Sequence, residues 1–336
     1  LSLGLRYDRN DGQDANGTTV ADDDRFSPRL GASFDIRGDG QFLLHGGFAR
    51  YVAAISNAAA NSTASAGWFA DYGYLYLGGP FNDGGPPYLS TQQVIEEMFT
   101  WFEAQGGTSA TDLLLFANIP GIIRGIPNGL KSPYADEATL GITVRFGQTG
   151  TVRADYVHRE AHDFYAVKVD QTTGQVTDDF GSTLDYGEIV NHDDLLEHTY
   201  DGLHTQVSYR FSPRLTVGGT WTWSHLRGNW DGERVSGSDK WASNIVKYPE
   251  YKDPSWNAPS GDLYGDRRHK VRAWTIWDAV STRRLGLSIS GLLNFWTGAP
   301  YSAVAQIDVS SYVENPGYAT PAVLQEYFFS DRGEFR

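Results

Sequence analysis

The chain has 336 residues, no cysteine, a formal net charge of −14 at pH 7 and 14% aromatic residues. The lack of cysteine excludes disulfides and thiolate metal sites, and the negative charge opposes binding to the phosphates of nucleic acid. The 38 glycines, together with frequent threonine, tyrosine and tryptophan, favour an all-β chain with many turns, and no apolar run is long enough for a membrane-spanning helix.

Apolar and polar residues alternate in a series of short segments, which predicts about nine β-strands. In the first segment, LSLGLRYD, every second residue is apolar or aromatic. In LTVGGTWTWS, Trp221 and Trp223 fall on the apolar face, with threonines on the other. We expect one residue from each of five strands to point outward from that face: Leu30, Val144, Val207, Val217 and Ile289.

The predicted connections between strands alternate between short and long. The short turns are 37–40, 147–150, 212–214 and 279–284, and the long connections are 9–26, 53–132, 168–198, 228–262 and 301 onward. Membrane barrels have short periplasmic turns and long extracellular loops, whereas a soluble sandwich has no reason to keep its long loops at one end. We therefore predict part of a transmembrane antiparallel β-barrel, with Trp221 and Trp223 as interfacial anchors. A soluble β-sandwich with both tryptophans in its core is the alternative.

The longest connection, 53–132, is predicted to be an extracellular insertion that contains one short helix. In LSTQQVIEEMFTWFEAQGG, Ser90 and Gln93 have the spacing of a capping box. An aromatic cluster upstream either packs against this helix, which is the more common role, or offers a surface to a ligand. The candidate ligand-binding residues are Trp68, Tyr72, Tyr74, Tyr76 and Trp101.

No catalytic pattern is present in the sequence, so we predict no enzyme activity, no cofactor and no metal site. The eight histidines are scattered, and no HExxH or Ser/His/Asp motif organises them. His158 and His162 are four residues apart, but on a strand this spacing separates them by roughly 13 Å. The acidic segments 9–26 and 168–198 are expected to be solvated extracellular loops, with specific calcium binding as the alternative.

Five segments resemble, in order, the barrel of TonB-dependent outer-membrane receptors. They are GLRYD, FSPRLGASFD, YDGLHTQVSYRFSPRLTVGGTWTWS, DRRHKVRAWTIWDAV and LGLSISGLLNFWTGAPYS. The similarity covers nearly every strand, but not the long loops, and it is greatest to the Oar-like branch, whose members begin with a carboxypeptidase-regulatory-like domain. The resemblance implies a barrel of about 22 strands around an N-terminal plug, located in the outer membrane of a Gram-negative bacterium.

The implied function is uptake of a scarce siderophore, glycan or peptide with energy passed on by the TonB complex. The implied partners are outer-membrane lipid and lipopolysaccharide, the protein's own plug domain, the TonB complex and an extracellular ligand. No stretch resembles a plug, a TonB box or a last barrel strand, so we expect residues 1–336 to be part of the barrel only. A passive porin or surface adhesin is the main alternative, and a secreted carbohydrate-binding or hydrolytic protein is a third.

The resemblance places the DRRH segment near the extracellular rim of the barrel. Because neighbouring residues of a strand point to opposite faces, we expect one of its two arginines to face the lumen. This arginine pairs with a carboxylate of the barrel, which is the more common role, with a carboxylate of the plug or with an anionic ligand. The residues predicted to face the lumen or to contact the plug are Arg29, His204, Arg267 and Arg268.

Overall fold

The computed structural model describes residues 1–55, 57–64, 69–192, 194–230 and 246–336. Its main feature is an antiparallel sheet in which nine long strands lie in the same order as in the chain. These strands are β1 Ser2–Gln13, β2 Thr19–Asp35, β3 Phe42–Val52, β4 Tyr134–Phe146, β5 Gly150–His162, β6 His198–Ser212, β7 Leu215–Gly228, β8 His269–Ser281 and β9 Gly286–Trp296. A tenth strand of two residues, Gly261–Asp262, pairs with the end of β7. The predicted antiparallel wall of strands is confirmed.

The sheet has one apolar and one largely polar face, because side chains alternate along each strand and directly paired residues share a face. One row of such pairs joins Val144, Val152 and Val207 across β4, β5 and β6. The five residues predicted to point outward share the face of this row: Leu30, Val144, Val207, Val217 and Ile289. The same face exposes many large apolar side chains: Leu3, Leu5, Phe34, Leu44, Leu140, Phe211, Trp221, Trp277, Leu293 and Phe295. The polar face is interrupted on β8 and β9, where it also exposes Ile276, Leu292 and Trp296.

The short connections lie at one end of the sheet and agree with the predicted turns. They comprise residues 36–41, 147–149, 213–214 and 282–285. The strands β3, β5, β7 and β9 all run in the opposite direction to the strands that precede them. The long connections that follow these strands therefore all begin at the other end of the sheet.

The predicted long loop at residues 9–26 is wrong, because β1 and β2 continue as one paired ladder up to a tight turn. Asp14 closes the turn by accepting the backbone N–H groups of Asn16 and Thr18, both at 2.9 Å. Gly17 occupies the left-handed region there, with φ of 82°. The charged residues that suggested a loop are tolerated in these strands because arginines of the same hairpin pair with them, Arg9 with Asp22 and Arg25 with Asp23.

The long connections contain several short elements. Between β3 and β4 lie helix α1 Asn57–Ser62, paired strands Asp71–Tyr74 and Leu114–Asn118, helix α2 Thr91–Ala104, 3-10 turns Gly107–Ser109 and Thr111–Leu113, and strand Arg124–Gly125. Between β5 and β6 lie strands Tyr165–Lys168, Gln175–Thr177, Thr183–Asp185 and Gly187–Asn191. Later connections contain helix α3 Pro254–Asn257 and the paired strands Val304–Asp308 and Leu324–Phe328.

The predicted helix of the insertion is confirmed as α2, and it begins with the predicted capping box. The Ser90 hydroxyl accepts the backbone N–H of Gln93 at 3.4 Å, while the Gln93 side-chain oxygen accepts the backbone N–H of Ser90 at 2.9 Å. These reciprocal bonds satisfy two groups that the first turn of a helix leaves unpaired. Among the described residues, no helix has the length and apolar character needed to cross a membrane.

The long connections pack together into what we call the loop cap, which comprises the described residues of 53–133, 163–197, 229–268 and 297–336. Its core draws apolar residues from all four connections and from the start of β2: Val20, Ala59, Ile126, Leu130, Tyr165, Val167, Val169, Ile189, Tyr248, Tyr251, Val309 and Tyr318. Asp185 joins two of the connections, since its carboxylate accepts the backbone N–H groups of Ala319 at 2.8 Å and Thr320 at 2.9 Å. The predicted loops are therefore a packed structure at one end of the sheet.

Candidate functional site

Two tyrosines of the insertion pack against α2. The ring of Tyr74 meets Phe102 with centroids 4.8 Å apart, and the ring of Tyr76 meets Trp101 at 4.6 Å. Edge-to-face contacts of this kind stabilise aromatic pairs beyond the burial of their area. The helix is thus held to the preceding extended segment by aromatic side chains that the sequence had placed in one cluster.

Tyr72 connects this cluster to the next long connection of the loop cap. Its ring meets Phe180 edge to face at 5.5 Å, and its hydroxyl donates to the Asp178 carboxylate at 3.1 Å. Burial, together with the neighbouring Asp178 carboxylate, raises the pKa of Tyr72 to about 12. The phenol therefore stays protonated and acts as a structural hydrogen-bond donor at physiological pH.

The hydroxyl groups of the two other candidate tyrosines are also used within the insertion. Tyr74 donates to the backbone oxygen of Thr108, and Tyr76 donates to that of Gly79, both at 2.9 Å. A ligand at this cluster would therefore meet the edges and faces of the rings rather than available hydroxyls.

The structure brings together four of the five candidate ligand-binding residues: Tyr72, Tyr74, Tyr76 and Trp101. Trp68 lies outside the described residues. Sequence reasoning missed Phe180 as a member of the cluster, because it belongs to a different connection and no local pattern links the two segments. Phe102 could have been assigned from its position on the helix, three residues after Phe99 and next to Trp101.

The polar face of the sheet carries Arg29 and His204, which were predicted to face the lumen. The Arg29 guanidinium lies over the ring of Tyr51, with 5.5 Å from its central carbon to the ring centroid. His204 contacts the Tyr200 hydroxyl through Nε2 at 3.0 Å and the Thr222 hydroxyl through Nδ1 at 3.3 Å. Both side chains are held by polar or aromatic neighbours of the same face.

A hydrogen bond between distant residues, which the sequence did not predict, crosses this polar face. His45 Nε2 lies 2.5 Å from Asp155 Oδ1, although the two residues are on β3 and β5 and the strand between them is β4. The residue between them on β4 is Gly141, and a Cβ atom there would clash with the Asp155 carboxylate. Arg153 binds the other oxygen of Asp155 at 2.6 Å. The missing side chain of one glycine therefore allows His45 and Asp155 to meet.

The two arginines of the DRRH segment have different partners. Arg268 pairs with the carboxylates of Asp262 at 2.9 Å and Asp266 at 3.3 Å, and Arg336 pairs with the same two acids. Arg267 donates to the backbone oxygen of Tyr264 at 2.9 Å. Both arginines of the segment therefore bind groups of this chain where the loop cap meets β8.

Asp262 is the centre of this ion-pair network. Its second oxygen lies 2.7 Å from His225 Nε2. Burial alone would raise the pKa of Asp262, but the hydrogen bonds from Arg336 and His225 and the charge of Arg268 outweigh it and lower the pKa. The carboxylate is therefore ionised, and it binds the last described residue of the chain to the end of the wall.

The described part of the chain contains no group of three or more His, Asp or Glu side chains arranged to hold a metal ion. His158 instead contacts the Asp201 carboxylate through Nδ1 at 2.8 Å, and His162 stacks on Tyr134 with ring centroids 5.0 Å apart. The two histidines thus have separate environments on β5.

A wall of strands with one apolar, exposed face and one polar face defines an integral membrane β-barrel protein. The chain matches the family model for the outer membrane beta barrel domain over residues 2–327. It therefore belongs to this family, and its location is the outer membrane of a Gram-negative bacterium. A comparison with curated protein sequences finds no match.

Solved structures with a similar arrangement include a transporter, a siderophore receptor and an iron transporter. The outer membrane transporter YddB from Escherichia coli is 13% identical, with a TM-score of 0.47 over 93% of this chain and 33% of that chain. The siderophore receptor PiuA from Acinetobacter baumannii is 11% identical, with a TM-score of 0.43 over 98% and 39%. The FrpB iron transporter from Neisseria meningitidis is 14% identical, with a TM-score of 0.41 over 97% and 42%. The chain thus spans between a third and about two fifths of their length.

Proposed function

We propose that the chain forms part of the barrel of a TonB-dependent receptor that takes up a scarce ligand across the outer membrane, and that it has no enzyme activity. The observation that supports this most is the loop cap, in which four long connections share one core at one end of a barrel wall. A passive pore needs no such packed structure at its mouth, whereas a receptor uses it to bind a ligand before transport. The five segments that resemble TonB-dependent receptors of the Oar-like branch support the same function.

We assign ligand contact to the insertion and propose that Trp68, Tyr72, Tyr74, Tyr76 and Trp101 contribute to it. Aromatic rings supply a large contact area at low cost in conformational entropy, which suits siderophores and sugars as well as peptides. The packing of Tyr74 and Tyr76 on α2 supports a role in which the insertion presents ring edges on a preformed surface. Three of the tyrosine hydroxyls are already bonded within the protein, so selectivity comes from shape and ring contact.

We further propose that the polar face lines the lumen and contacts a plug domain encoded elsewhere in the gene. Arg29, His204 and the bridge between His45 and Asp155 supply charged and polar groups along this face. A plug needs such contacts because it must be held firmly and yet rearrange when energy is delivered. Arg267 and Arg268 would stabilise the rim against which that plug is closed.

The test is uptake by cells that produce the full-length protein. The probes are radiolabelled iron bound to a hydroxamate or a catecholate siderophore, a labelled maltodextrin and a labelled hexapeptide. We expect uptake of one probe to saturate, to stop when the TonB complex is deleted, and to fall when residues 60–125 are replaced by a short Gly/Ser linker. A variant with the Gly/Ser linker in place of the short turn 282–285 serves as the matched control.

A passive porin or adhesin would give the opposite pattern. Its flux would not saturate and would persist without the TonB complex, which would contradict the proposed function. Unchanged uptake in the linker variant, with correct barrel assembly, would instead show that the ligand site lies outside the insertion. The two results are distinguishable because the first tests whether uptake depends on the TonB complex and the second tests where the ligand binds.

A further inference from the structure

Most of the insertion carries charge of one sign only. Residues 51–123 contain no lysine, arginine or histidine, but they contain acidic residues throughout: Asp71, Asp83, Glu96, Glu97, Glu103 and Asp112. The 27 lysines and arginines of the protein all lie outside this stretch. The acids therefore have no cationic neighbour within their own segment. Any partner of this surface therefore meets a negative potential.

Helix α2 uses only one of its faces for packing. Trp101 and Phe102 contact the tyrosines of the insertion, yet none of the residues of α2 is buried. Ile95, Met98 and Phe99 are 38%, 37% and 56% exposed. Because residues three and four apart are neighbours on a helix, these side chains form one apolar stripe that the described residues of the loop cap cover only in part.

Acidic residues run along one side of this stripe. On the helix surface, Phe99 has Ile95 and Phe102 on one side and Glu96 and Glu103 on the other, since all four are three or four residues away. Both glutamates are exposed. The apolar stripe and the acidic row are therefore adjacent and parallel, over a length of about two helical turns.

The charge of this surface decides which partner fits it. The outer leaflet of the outer membrane carries lipopolysaccharide phosphates, and glutamates beside the stripe repel them. A second copy of α2 would bring two acidic rows together, which costs free energy for the same reason. A segment with apolar side chains on one face and lysine or arginine beside them satisfies both parts of the surface.

We propose that the exposed face of α2 is a docking site for a cationic amphipathic polypeptide segment at the cell surface. The apolar stripe supplies the contact area, and Glu96 and Glu103 select positive charge. The site requires no transport step, so it goes beyond receptor function and stands or fails independently of uptake.

The test is binding of fluorescent peptides to the full-length protein in lipid nanodiscs. The probe is a helical peptide of leucine and lysine with the leucines on one face. Two comparison peptides separate the contributions: one replaces every lysine by glutamate, and the other replaces every leucine by serine. We expect only the leucine and lysine peptide to bind, with an affinity that decreases as salt is added.

Two double variants and one single variant locate the site. Ile95→Ser with Phe99→Ser, and Glu96→Gln with Glu103→Gln, should each weaken binding about tenfold, because they remove apolar contact or two exposed ion pairs. The glutamine variant should also lose most of the salt dependence. Leu77→Ser removes an apolar side chain that is 66% exposed on the same insertion, and it should leave binding unchanged.

Several results would overturn the proposal. These are equal binding of the glutamate peptide, equal binding of the serine and lysine peptide, no binding of any peptide, or an equal loss in the Leu77→Ser variant. Dimerisation of the protein through α2, detected by sedimentation and abolished by Ile95→Ser with Phe99→Ser, would assign the face to a second copy instead. Unchanged fluorescence of the tryptophans in each variant shows that the insertion keeps its structure.

Discussion

A single arginine placed on either face of β6 should distinguish the lipid-facing side of the wall from the lumenal side. Val207 lies on the apolar face and is 43% exposed, while the preceding residue, Gln206, lies on the polar face beside Arg153 and Thr220. The two substitutions, Val207→Arg and Gln206→Arg, differ by one position in sequence. They are opposite in environment because successive side chains of a strand alternate between faces.

The expected magnitude follows from the position of Val207 in the strand. Five alternate positions of β6 face the apolar side, and Val207 is the middle one: Leu203, Thr205, Val207, Tyr209 and Phe211. With about 3.4 Å per residue and a strand tilt of about 40°, these positions span roughly 20 Å of membrane depth. An arginine at the centre is thus about 10 Å from either interface, and we expect it to cost about 2–4 kcal/mol.

The Gln206→Arg substitution should cost less than about 1 kcal/mol, because its guanidinium enters a water-filled space. Its neighbour Arg153 is already paired with Asp155 at 2.6 Å, which limits repulsion. The measurement is the free energy of unfolding in urea of the full-length protein inserted in lipid vesicles, followed by tryptophan fluorescence. Equal losses for the two variants would refute the assignment of faces, and a larger loss for Gln206→Arg would show that the faces are reversed.

Three further predictions concern contacts that hold the wall and the loop cap together. Gly141→Ala should lower the free energy of unfolding in urea by about 1–3 kcal/mol, because its methyl group displaces the Asp155 carboxylate from His45. Gly286→Ala is the control and should be almost neutral in the same experiment, since a Cβ atom there meets no atom within 4 Å. Asp185→Ala should leave the N–H groups of Ala319 and Thr320 unpaired and make the loop cap, but not the wall, several times more sensitive to limited proteolysis; unchanged cleavage would contradict this. Arg336 and His225 lower the pKa of Asp262 in the folded protein. The contribution of this carboxylate to stability is therefore complete above its unfolded pKa of about 3.9, and it is lost as the pH falls through the lower folded value. Protection of the loop cap against proteolysis should be constant from pH 8 to pH 5 and decrease only below about pH 4, and Asp262→Asn should remove this acid-dependent step.

Local patterns in the sequence were sufficient for the wall and for α2. The alternation of apolar side chains specifies both the strand and the face, so Val144, Val207 and Ile289 could be assigned without any contact information. The capping box at Ser90 is equally local, because its two hydrogen bonds connect residues three positions apart. Features of this kind depend on the backbone period and are visible in any single sequence.

The remaining features depend on contacts between distant segments. The core of the loop cap joins Val20 to Leu130, which are buried together although more than a hundred positions separate them. The bridge from His45 to Asp155 depends on the absence of a side chain at Gly141 on a third strand. The extension of β1 and β2 was missed because charged residues were taken as evidence for a loop, whereas arginines of the hairpin pair with its carboxylates and the ladder continues through them.

The chain therefore holds its apolar residues in two arrangements that follow opposite rules. In the wall, the protein leaves side chains such as Leu293 and Phe295 60% and 55% exposed. The lipid bilayer covers these side chains and so removes them from water. In the loop cap, Leu130 and Ile189 are 1% and 0% exposed, as in a water-soluble domain. The stripe on α2 belongs to neither arrangement, because it lies in the loop cap and the described residues leave each of its side chains more than a third exposed. Apolar side chains are covered by lipid in the wall and by other side chains in the loop cap. By the same reasoning, an exposed apolar stripe bordered by acids indicates a partner that brings both apolar contact and positive charge.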